Sequence, residues 1–576
     1  MADKHQEAID LLEDLPAQAR QALLARDKRV TLEAGEALFE AGGPAEALYI
    51  VNKGTVGVYV NRPGASRQLL ALVGHGEVIG EMAVISGRSR SASAIAIRDC
   101  ELVKLSAGEF KALETRYPQL SIALNRLLVR RLRETSQGGS PTPKPRTNAF
   151  IAATSAVDPM AVAERLKREL ERMGRSVHLA MPRGHGETWP DLARIEADFD
   201  HVFLCGDQGN GSWTQMCARQ ADRIIALGRT PGSADRSFPR EVLVRRAGHQ
   251  LADLLLLHPS GVSRPEGTAD WLEASGASRH FHLRENKDSD WRRIARVLDG
   301  SSVGLVLSGG GARAYAHIGV LKALKEARIP IDFIGGASMG GIIAACGAMG
   351  WPLEEAIPRI RRAFVDHNPL SDYSLPIIGL VRGKRVERLL EENFGDTRIP
   401  DLWRPFFCVS TNLTTGDVMT HRRDRVRDAL RASVSLPGVL PPVSTPDGVL
   451  ADGGVMNNLP VDVMASMNNG PIIAVDVARD LAVTPSWLEK AKNAPLLSRM
   501  LRPPIISILM RAGTVTNDDQ NRANAEAADL VMSPPLGDID IRDWRAFDRA
   551  VDIGYRYALG VLEREGERLL TPHRPQ

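Results

Sequence analysis

The stretch Val303-Gly-Leu-Val-Leu-Ser-Gly-Gly-Gly-Ala-Arg-Ala314 decides the fold of the second half of the chain. An apolar run of strand length ends in three glycines, and the helical pattern Ala316 to Ala327 follows directly. A strand, a tight turn and a helix in this order are typical of an α/β unit with a parallel sheet. Glycines at such a turn let backbone N–H groups converge at the start of the helix, where an anion or a developing oxyanion is stabilised.

The same glycines also fit a dinucleotide-binding fingerprint. Gly309-x-Gly311-x-x-Ala314 has the spacing of that motif, and Asp332 lies 21 residues beyond Gly311, where an acid that binds a ribose hydroxyl would stand. Taken alone, the glycine loop therefore leaves two functions open, an NAD-dependent oxidoreductase and a hydrolase.

A second motif, Gly336-Ala-Ser338-Met-Gly340, lies between the apolar run Asp332-Phe-Ile and an apolar helical pattern that ends at Met349. A nucleophilic serine on a sharp strand-to-helix turn needs small residues two positions to either side, because the turn leaves no room for side chains. The alternative is a serine that only caps a helix. The strand-turn-helix context and the nearby glycine loop together favour a hydrolase.

The third motif is Asp452-Gly453-Gly454. A carboxylate flanked by glycines can approach another backbone closely, as a general base must, although an ordinary Asp-Gly turn has the same sequence. In α/β-hydrolases a histidine follows the acid, but the only histidine after Asp452 is His573, near the end of the chain. A conventional triad is therefore not expected. If Ser338 is the nucleophile, Asp452 activates it directly, as a two-residue dyad.

These three motifs, with Ala432-Ser-Val-Ser-Leu-Pro-Gly-Val-Leu-Pro-Pro442 between the last two, resemble the patatin-like phospholipase family. The resemblance implies that Ser338 and Asp452 are the catalytic residues and that the reaction is acyl transfer through an acyl-enzyme. It also implies an oxyanion hole in the glycine loop, at Gly309, Gly310, Gly311 and Arg313. One departure is Ala314, where the family commonly has glycine; we expect altered backbone freedom rather than lost activity.

The N-terminal region consists of short β-type runs separated by glycines, between about residues 28 and 105. They predict a compact antiparallel barrel or roll, and a helical pattern follows from Ser106 to Arg133. Within this region, the stretch from Gly80 to Ala92 resembles the phosphate-binding cassette of cyclic nucleotide-binding domains. The resemblance implies nucleotide-binding residues at Gly80, Glu81, Arg90 and Ser91.

The chemistry of the cassette can be read from its side chains. Glu81 can accept a hydrogen bond from a ribose 2′-OH, and Arg90 can pair with a cyclic phosphate. The regulatory ligand expected at such a site is cAMP or cGMP. The alternative is that Glu81 and Arg90 only form a salt bridge in a structural β-roll.

The order of these regions is similar to that of the neuropathy target esterase family, whose members join a cyclic nucleotide-type domain, a small α/β connector and a patatin domain. The predicted fold class is multidomain α/β: an N-terminal antiparallel β-roll with helices, a small parallel α/β connector and a C-terminal patatin-like α/β domain. We predict a cyclic nucleotide-binding-like domain at 1–135, a flexible Gly/Ser/Pro-rich linker at 136–147, the connector at 148–300, and the patatin-like domain with C-terminal helices at 301–576.

This resemblance implies a serine esterase that acts on lysophospholipids or phospholipids without calcium or any required cofactor. The alternative is a cyclic nucleotide sensor with an inert hydrolase-like scaffold. An NAD-dependent oxidoreductase would use the glycine loop but would leave the Ser338 and Asp452 motifs unexplained.

Composition narrows the partners and the compartment. With 43% hydrophobic and 25% charged residues, the chain is neither disordered, collagen-like nor a coiled coil. A net charge of +3 gives no general field for nucleic acid. The five cysteines contain no CxxC pair, so neither a disulfide framework nor a metal site is indicated.

No signal peptide and no run of 18 apolar residues occur, so we expect no transmembrane segment. The expected localisation is cytoplasmic, with peripheral contact to lipid substrate at a membrane surface or micelle. The stretch Pro369 to Val381 is a candidate apolar surface for that contact, or else an ordinary loop that covers the core.

Overall fold

The computed structural model describes residues 29–60, 68–122, 124–125, 128, 146–180, 192–207, 211–233, 251–373, 379–478 and 518–570. The chain divides into two compact units, residues 1–261 with 270–299 and residues 262–269 with 300–576. Of the predicted linker at 136–147, residues 136–145 lie outside the described residues.

An antiparallel β-roll begins the first unit, as expected from the sequence. Its strands are β1 (Arg29–Leu32), β2 (Ala37–Phe39), β3 (Ala47–Lys53), β4 (Val56–Val60), β5 (Gln68–Val73), β6 (Val78–Ile79), β7 (Ser93–Ala96) and β8 (Cys100–Ser106). They form two four-stranded sheets, in the orders β1-β8-β3-β6 and β2-β7-β4-β5. Alternating apolar residues of both sheets are buried, as a roll with one inner face requires.

The roll is accompanied by α1 (Glu81–Ser86) and α2 (Ala107–Arg116). The predicted helical region from Ser106 to Arg133 contains a break, because α2 ends at Arg116 and helical backbone resumes at Gln119. Pro118 explains the break, since a proline disfavours helical backbone at the residue before it.

A parallel sheet forms the connector. Its strands are β9 (Thr147–Ala152), β10 (Val177–Ala180), β11 (His201–Cys205), β12 (Arg223–Arg229), β13 (Leu251–His258) and β14 (Arg279–Arg284). Their order is β10-β11-β9-β12-β13-β14. The helices in this part of the chain are α3 (Pro159–Arg172), α4 (Leu192–Asp198), α5 (Ser212–Gln220), α6 (Thr268–Ser275) and α7 (Asp288–Asp299).

The second unit is built on a mixed sheet. Its strands are β15 (Gly304–Leu307), β16 (Phe333–Ala337), β17 (Phe406–Asn412), β18 (Asp417–His421), β19 (Val443–Thr445), β20 (Gly448–Asp452), β21 (Ile472–Val475) and β22 (Leu530–Met532). The main order is β19-β20-β17-β16-β15-β21-β22, and β18 pairs with β17. Strands β17, β16, β15, β21 and β22 run parallel, whereas β20 is antiparallel to β17.

Eight α-helices of the described residues belong to this unit. They are α8 (Ala316–Glu326), α9 (Ser338–Ala348), α10 (Leu353–Arg361), α11 (Lys384–Phe394), α12 (Val426–Ser433), α13 (Val461–Ala465), α14 (Asp518–Glu526) and α15 (Phe547–Leu570). Helices α8 and α15 approach closely through glycine: a Cβ at Gly319 would clash with the carbonyl oxygen of Val551, and one at Gly554 with that of Ala316. The long helix α15 thereby fixes the helix that follows the glycine loop.

Sheet register sets the level of the site residues. Ala337, the last residue of β16, pairs with Val409 of β17, and the next β17 residue, Ser410, pairs with Asp452 at the end of β20. Ser338 and Asp452 are therefore brought to the same end of the sheet from strands that flank β17.

None of the helices within the described ranges is both long enough and apolar enough to cross a lipid bilayer.

Candidate active site

Ser338 and Asp452 are in direct contact. The hydroxyl of Ser338 donates a 2.7 Å hydrogen bond to Oδ2 of Asp452. The other carboxylate oxygen, Oδ1, accepts a 2.7 Å bond from the backbone N–H of Gly454. Both oxygens of Asp452 are thus held, and Oδ2 is aimed at the serine.

The turn that carries Ser338 has the geometry of a nucleophile elbow. Ser338 has a φ of 50°, in the left-handed region that non-glycine residues rarely adopt. A Cβ at Gly336 or at Gly340 would clash with the carbonyl oxygen of Leu307. The N–H of Ser338 donates to the hydroxyl of Ser433 at 3.0 Å, which gives the backbone donor at this turn an acceptor.

The environment of Asp452 makes its carboxylate a stronger base than usual. The side chain is buried, with 4% of the residue exposed, and this desolvation raises its pKa to about 6, against the lowering effect of the Ser338 and Gly454 hydrogen bonds. A pKa closer to neutrality favours proton transfer from a hydroxyl while leaving the carboxylate ionised at pH 7.

The three glycines of the glycine loop differ in their hydrogen bonds. The N–H of Gly309 donates to Oδ1 of Asn458 at 3.1 Å, and the amide nitrogen of Asn458 donates back to the Gly309 carbonyl at 3.3 Å. The N–H groups of Gly310 and Gly311 have no acceptor among the described residues. All three glycines line the same pocket as Ser338.

Arg313 lies beside the loop rather than in the pocket wall. Its Nε donates to the carbonyl of Ile539 at 2.7 Å, and its guanidinium also reaches the carbonyl of Gly537. Next to it, the N–H of Ala312 donates to the carbonyl of Ile541 at 2.8 Å. The arginine that the sequence assigns to the oxyanion hole therefore braces the segment 537–541 against the glycine loop.

A cavity of about 560 Å³ opens above the Ser338–Asp452 pair. Its wall is mainly apolar, and none of its described lining residues is a histidine. The apolar stretch singled out in the sequence supplies part of this wall, through Pro369, Leu370, Tyr373, Leu380 and Val381. Tyr373 is 73% exposed, whereas residues 374–378 lie outside the described residues.

The dinucleotide interpretation does not fit the position of Asp332. This residue precedes β16, at the end of the sheet opposite to the glycine loop, which follows the parallel neighbour β15. Its carboxylate is buried and accepts a hydrogen bond from the N–H of Val303 at 3.0 Å. A ribose-binding acid would have to lie at the carboxyl end of the strands.

The nucleotide-binding residues predicted in the β-roll lie close together. Gly80 has a φ of 83° and precedes α1, whose first residue, Glu81, is buried. Arg90 is 4% exposed and donates to the carbonyls of Gly80 and Ala47, at 2.8 and 2.6 Å. The Nε of Arg90 is buried without a partner among the described residues, and Ser91 is exposed.

Two residues that hold Ser338 and the glycine loop in place were not identified from the sequence. Ser433 binds the elbow from α12, and Asn458 ties the glycine loop to the loop that follows Asp452. Ser433 lies within the Ala432–Pro442 stretch quoted above, and Asn458 lies six positions after Asp452, so both were close to recognised motifs.

Three family models match the chain. Residues 29–117 match the cyclic nucleotide-binding domain, residues 170–298 match the neuropathy target esterase family P-loop like domain, and residues 305–465 match the patatin-like phospholipase.

Curated relatives match most of the chain. An uncharacterized NTE family protein of Mycobacterium tuberculosis is 32% identical, over 97% of this chain and 96% of its own length. Patatin-like phospholipase domain-containing protein 6 of Homo sapiens is 29% identical over 92% of this chain and 44% of its own. Lysophospholipase NTE1 of Coccidioides immitis is 28% identical over 93% and 40%. The chain spans less than half of these last two relatives.

The near end-to-end match to the mycobacterial relative and the three domain matches agree with the fold described above. They also agree with the pocket described above, which is lined by Ser338, Asp452 and the three glycines of the glycine loop. The chain belongs to the neuropathy target esterase family, whose patatin-like phospholipase domain makes its members serine hydrolases.

Proposed function

We propose that the chain is a serine esterase that hydrolyses carboxylic ester bonds of lysophospholipids or phospholipids, with Ser338 as nucleophile and Asp452 as its base. The observation that carries this proposal is the 2.7 Å hydrogen bond from the Ser338 hydroxyl to Asp452 at the base of an apolar cavity. A hydroxyl already bonded to its base is the arrangement that nucleophilic catalysis requires.

The proposed reaction has two halves. As Ser338 Oγ attacks the ester carbonyl, its proton passes to Asp452 Oδ2, and the collapse of the tetrahedral intermediate expels the alcohol, which takes that proton. Water then attacks the acyl-enzyme, gives a proton to Asp452 and releases the fatty acid, and Ser338 recovers its proton. Asp452 is thus base and acid in turn, and no histidine is needed.

The oxyanion is proposed to bind to the N–H groups of Gly310 and Gly311. This differs from the expectation from the sequence, because Gly309 already donates to Asn458 and Arg313 to backbone carbonyls. Gly309 and Arg313 then act as supports for the loop. Each oxyanion donor in such a site stabilises the transition state by about 3 kcal/mol.

The substrate class follows from the shape of the site. An apolar cavity that ends at a nucleophile accepts the acyl part of an ester, and the exposed Tyr373 at its wall is suited to contact with a micelle or membrane surface. We propose that the enzyme reaches its lipid as a peripheral protein of the cytoplasm.

The test is release of fatty acid from lysophosphatidylcholine by the wild type, Ser338→Ala and Asp452→Asn. Each variant should lose at least a thousandfold in kcat at pH 7.5, in line with the loss of a nucleophile or its base. Ser444→Ala and Asp447→Asn, which make the same changes at exposed positions outside the cavity, should keep wild-type rates. Retained turnover in Ser338→Ala would end the proposal.

A second proposal concerns the β-roll: that cAMP or cGMP binds at Glu81 and Arg90 and alters the esterase rate. The position of Arg90 beside Gly80, at the start of α1, supports it, because a guanidinium there can pair with a cyclic phosphate. Calorimetry should show binding that Arg90→Ala abolishes. Equal esterase rates without nucleotide and at saturation would rule out regulation.

A further inference from the structure

One face of helix α9 begins at the proposed nucleophile, Ser338. Ser338, Ile342 and Cys346 are spaced four residues apart, so they lie one above the other on the helix surface. From Ser338 to Cys346 the helix rises by about 12 Å. Ile342 lines the catalytic cavity, and both Ile342 and Cys346 line a second cavity of about 30 Å³, which we call the deep cavity because it lies farther from Ser338 along α9.

The two cavities share part of their walls. Four residues line both of them, namely Ile342, Phe364, Pro369 and Val386. We call these four residues the waist. They come from three different elements and the loop after α10, and all four side chains are apolar, so the wall that the two cavities share suits a hydrocarbon chain and disfavours polar groups.

The waist owes part of its form to an irregular turn. Residues Arg362–Asp366 form a π-helical turn directly after α10, and Phe364 lies within it. An extra residue in a helical turn changes the direction of the side chains that follow, and such turns are common at functional sites. Here the turn directs Phe364 to the boundary between the cavities.

Two stacked aromatic rings line the deep cavity. Trp351 and Phe394 line it and stack on each other with ring centroids 5.8 Å apart and an angle of 13° between the rings. The guanidinium of Arg359 lies over the Trp351 ring, 4.5 Å from its centre. A chain that entered along α9 would therefore meet the Trp351–Phe394 ring pair.

We propose that the acyl chain of the ester runs along α9 from Ser338 through the waist, and that the deep cavity sets the longest chain that the enzyme accepts. This inference rests on the proposed esterase function. Each methylene group buried in an apolar site improves binding roughly fourfold. Activity should therefore rise with chain length until the chain end reaches the Trp351–Phe394 wall, and then fall.

The test introduces one bulky residue at two depths. Ile342→Phe and Cys346→Phe are compared with the wild type on lysophosphatidylcholines with caproyl, lauroyl, palmitoyl and behenoyl chains. The chain length of maximal kcat/KM should be shortest for Ile342→Phe, intermediate for Cys346→Phe and longest for the wild type. The ratio of palmitoyl to caproyl activity should fall at least tenfold in Ile342→Phe.

Phe364→Ala widens the waist but leaves the Trp351–Phe394 wall in place, so it should keep the maximum at the wild-type chain length. Ile122→Phe makes the same change as Ile342→Phe at an exposed position and should leave the profile unchanged. Thermal unfolding of every variant reports whether it is folded. An equal loss on all chain lengths, or a shorter limit for Cys346→Phe than for Ile342→Phe, would overturn the proposal.

Failure of the esterase function would be seen separately. If the wild type hydrolyses none of these esters, the proposed function fails. The proposed acyl-chain path along α9, which we call the channel, is then tested by binding of the fluorescent fatty acid cis-parinaric acid to Ser338→Ala. Adding Ile342→Phe should weaken that binding at least tenfold, and unchanged affinity would disprove the channel.

Discussion

Asn458 binds both backbone polar groups of Gly309: its Oδ1 accepts the Gly309 N–H at 3.1 Å and its Nδ2 donates to the Gly309 carbonyl at 3.3 Å. Asn458 belongs to the segment after Asp452, whereas Gly309 opens the loop that we propose as the oxyanion hole. One side chain therefore fixes the distance between the proposed base and the proposed oxyanion donors.

We call these two hydrogen bonds between Asn458 and Gly309 the clamp. Its loss should lower kcat rather than weaken substrate binding. Asn458→Ala should lower kcat by about 10- to 100-fold with little change in KM, because displaced oxyanion donors stabilise the transition state less well. Steady-state kinetics on a soluble short-chain ester measure kcat and KM separately. A KM effect alone would show that Asn458 contacts substrate instead.

Asn458→Asp tests the same clamp through charge. The carboxylate still accepts the Gly309 N–H, but it adds a negative charge near Asp452, which raises the pKa of a neighbouring acid. The acid limb of the pH profile should therefore move to higher pH in this variant. No movement would indicate that the two side chains are electrostatically independent.

The pH dependence of the wild type follows from the burial of Asp452. Its pKa is raised to about 6, and only the ionised form can take the Ser338 proton. The ratio kcat/KM should fall as the pH drops through about 6, with a slope of one proton. A limb near pH 4, the region of an ordinary aspartate, would contradict the proposed role of burial.

Because of its raised pKa, the ionised side chain of Asp452 lowers the free energy of unfolding. A pKa that is higher in the folded than in the unfolded chain stabilises the fold below about pH 4, and this stabilisation is lost as the pH rises through about 6. Asparagine does not ionise, so Asp452→Asn should be more stable than the wild type at pH 8, by up to about 3 kcal/mol. Denaturant unfolding at pH 4 and pH 8 tests this, and an equal difference at both would refute it.

The motifs that could be read from the sequence are those that depend on local geometry. The turn around Ser338 needs glycine at positions 336 and 340, and both glycines are visible in the five-residue motif from Gly336 to Gly340. The apolar runs likewise predicted the strands around the glycine loop, because buried parallel strands are nearly continuously apolar.

The contacts that were not predicted join distant parts of the chain. Gly309 and Asn458 are 149 residues apart, and Ser338 and Ser433 are 95 residues apart. Their hydrogen bonds depend on the register of β16, β17 and β20, which residue spacing does not encode. The position of Arg313 depends in the same way on the segment 537–541, which lies more than 200 residues away.

The close approach of α8 and α15 predicts opposite effects for the same substitution. Gly554→Ala should destabilise the chain by about 1–3 kcal/mol, because its Cβ would clash with the carbonyl of Ala316. Gly560→Ala, two turns further along α15, has space and should stabilise it by up to about 1 kcal/mol through helix propensity. Denaturant unfolding of both variants provides the measurement, and equal shifts would refute the packing.

The central claim is that Asp452 alone activates Ser338, and the most direct measurement is the rate at which a fluorophosphonate labels the protein, with the site identified by mass spectrometry. We predict a single adduct on Ser338, a labelling rate that rises with pH through about 6, and at least a hundredfold slower labelling in Asp452→Asn. Labelling of another residue, or of Ser338 in Asp452→Asn at the wild-type rate, would contradict the dyad.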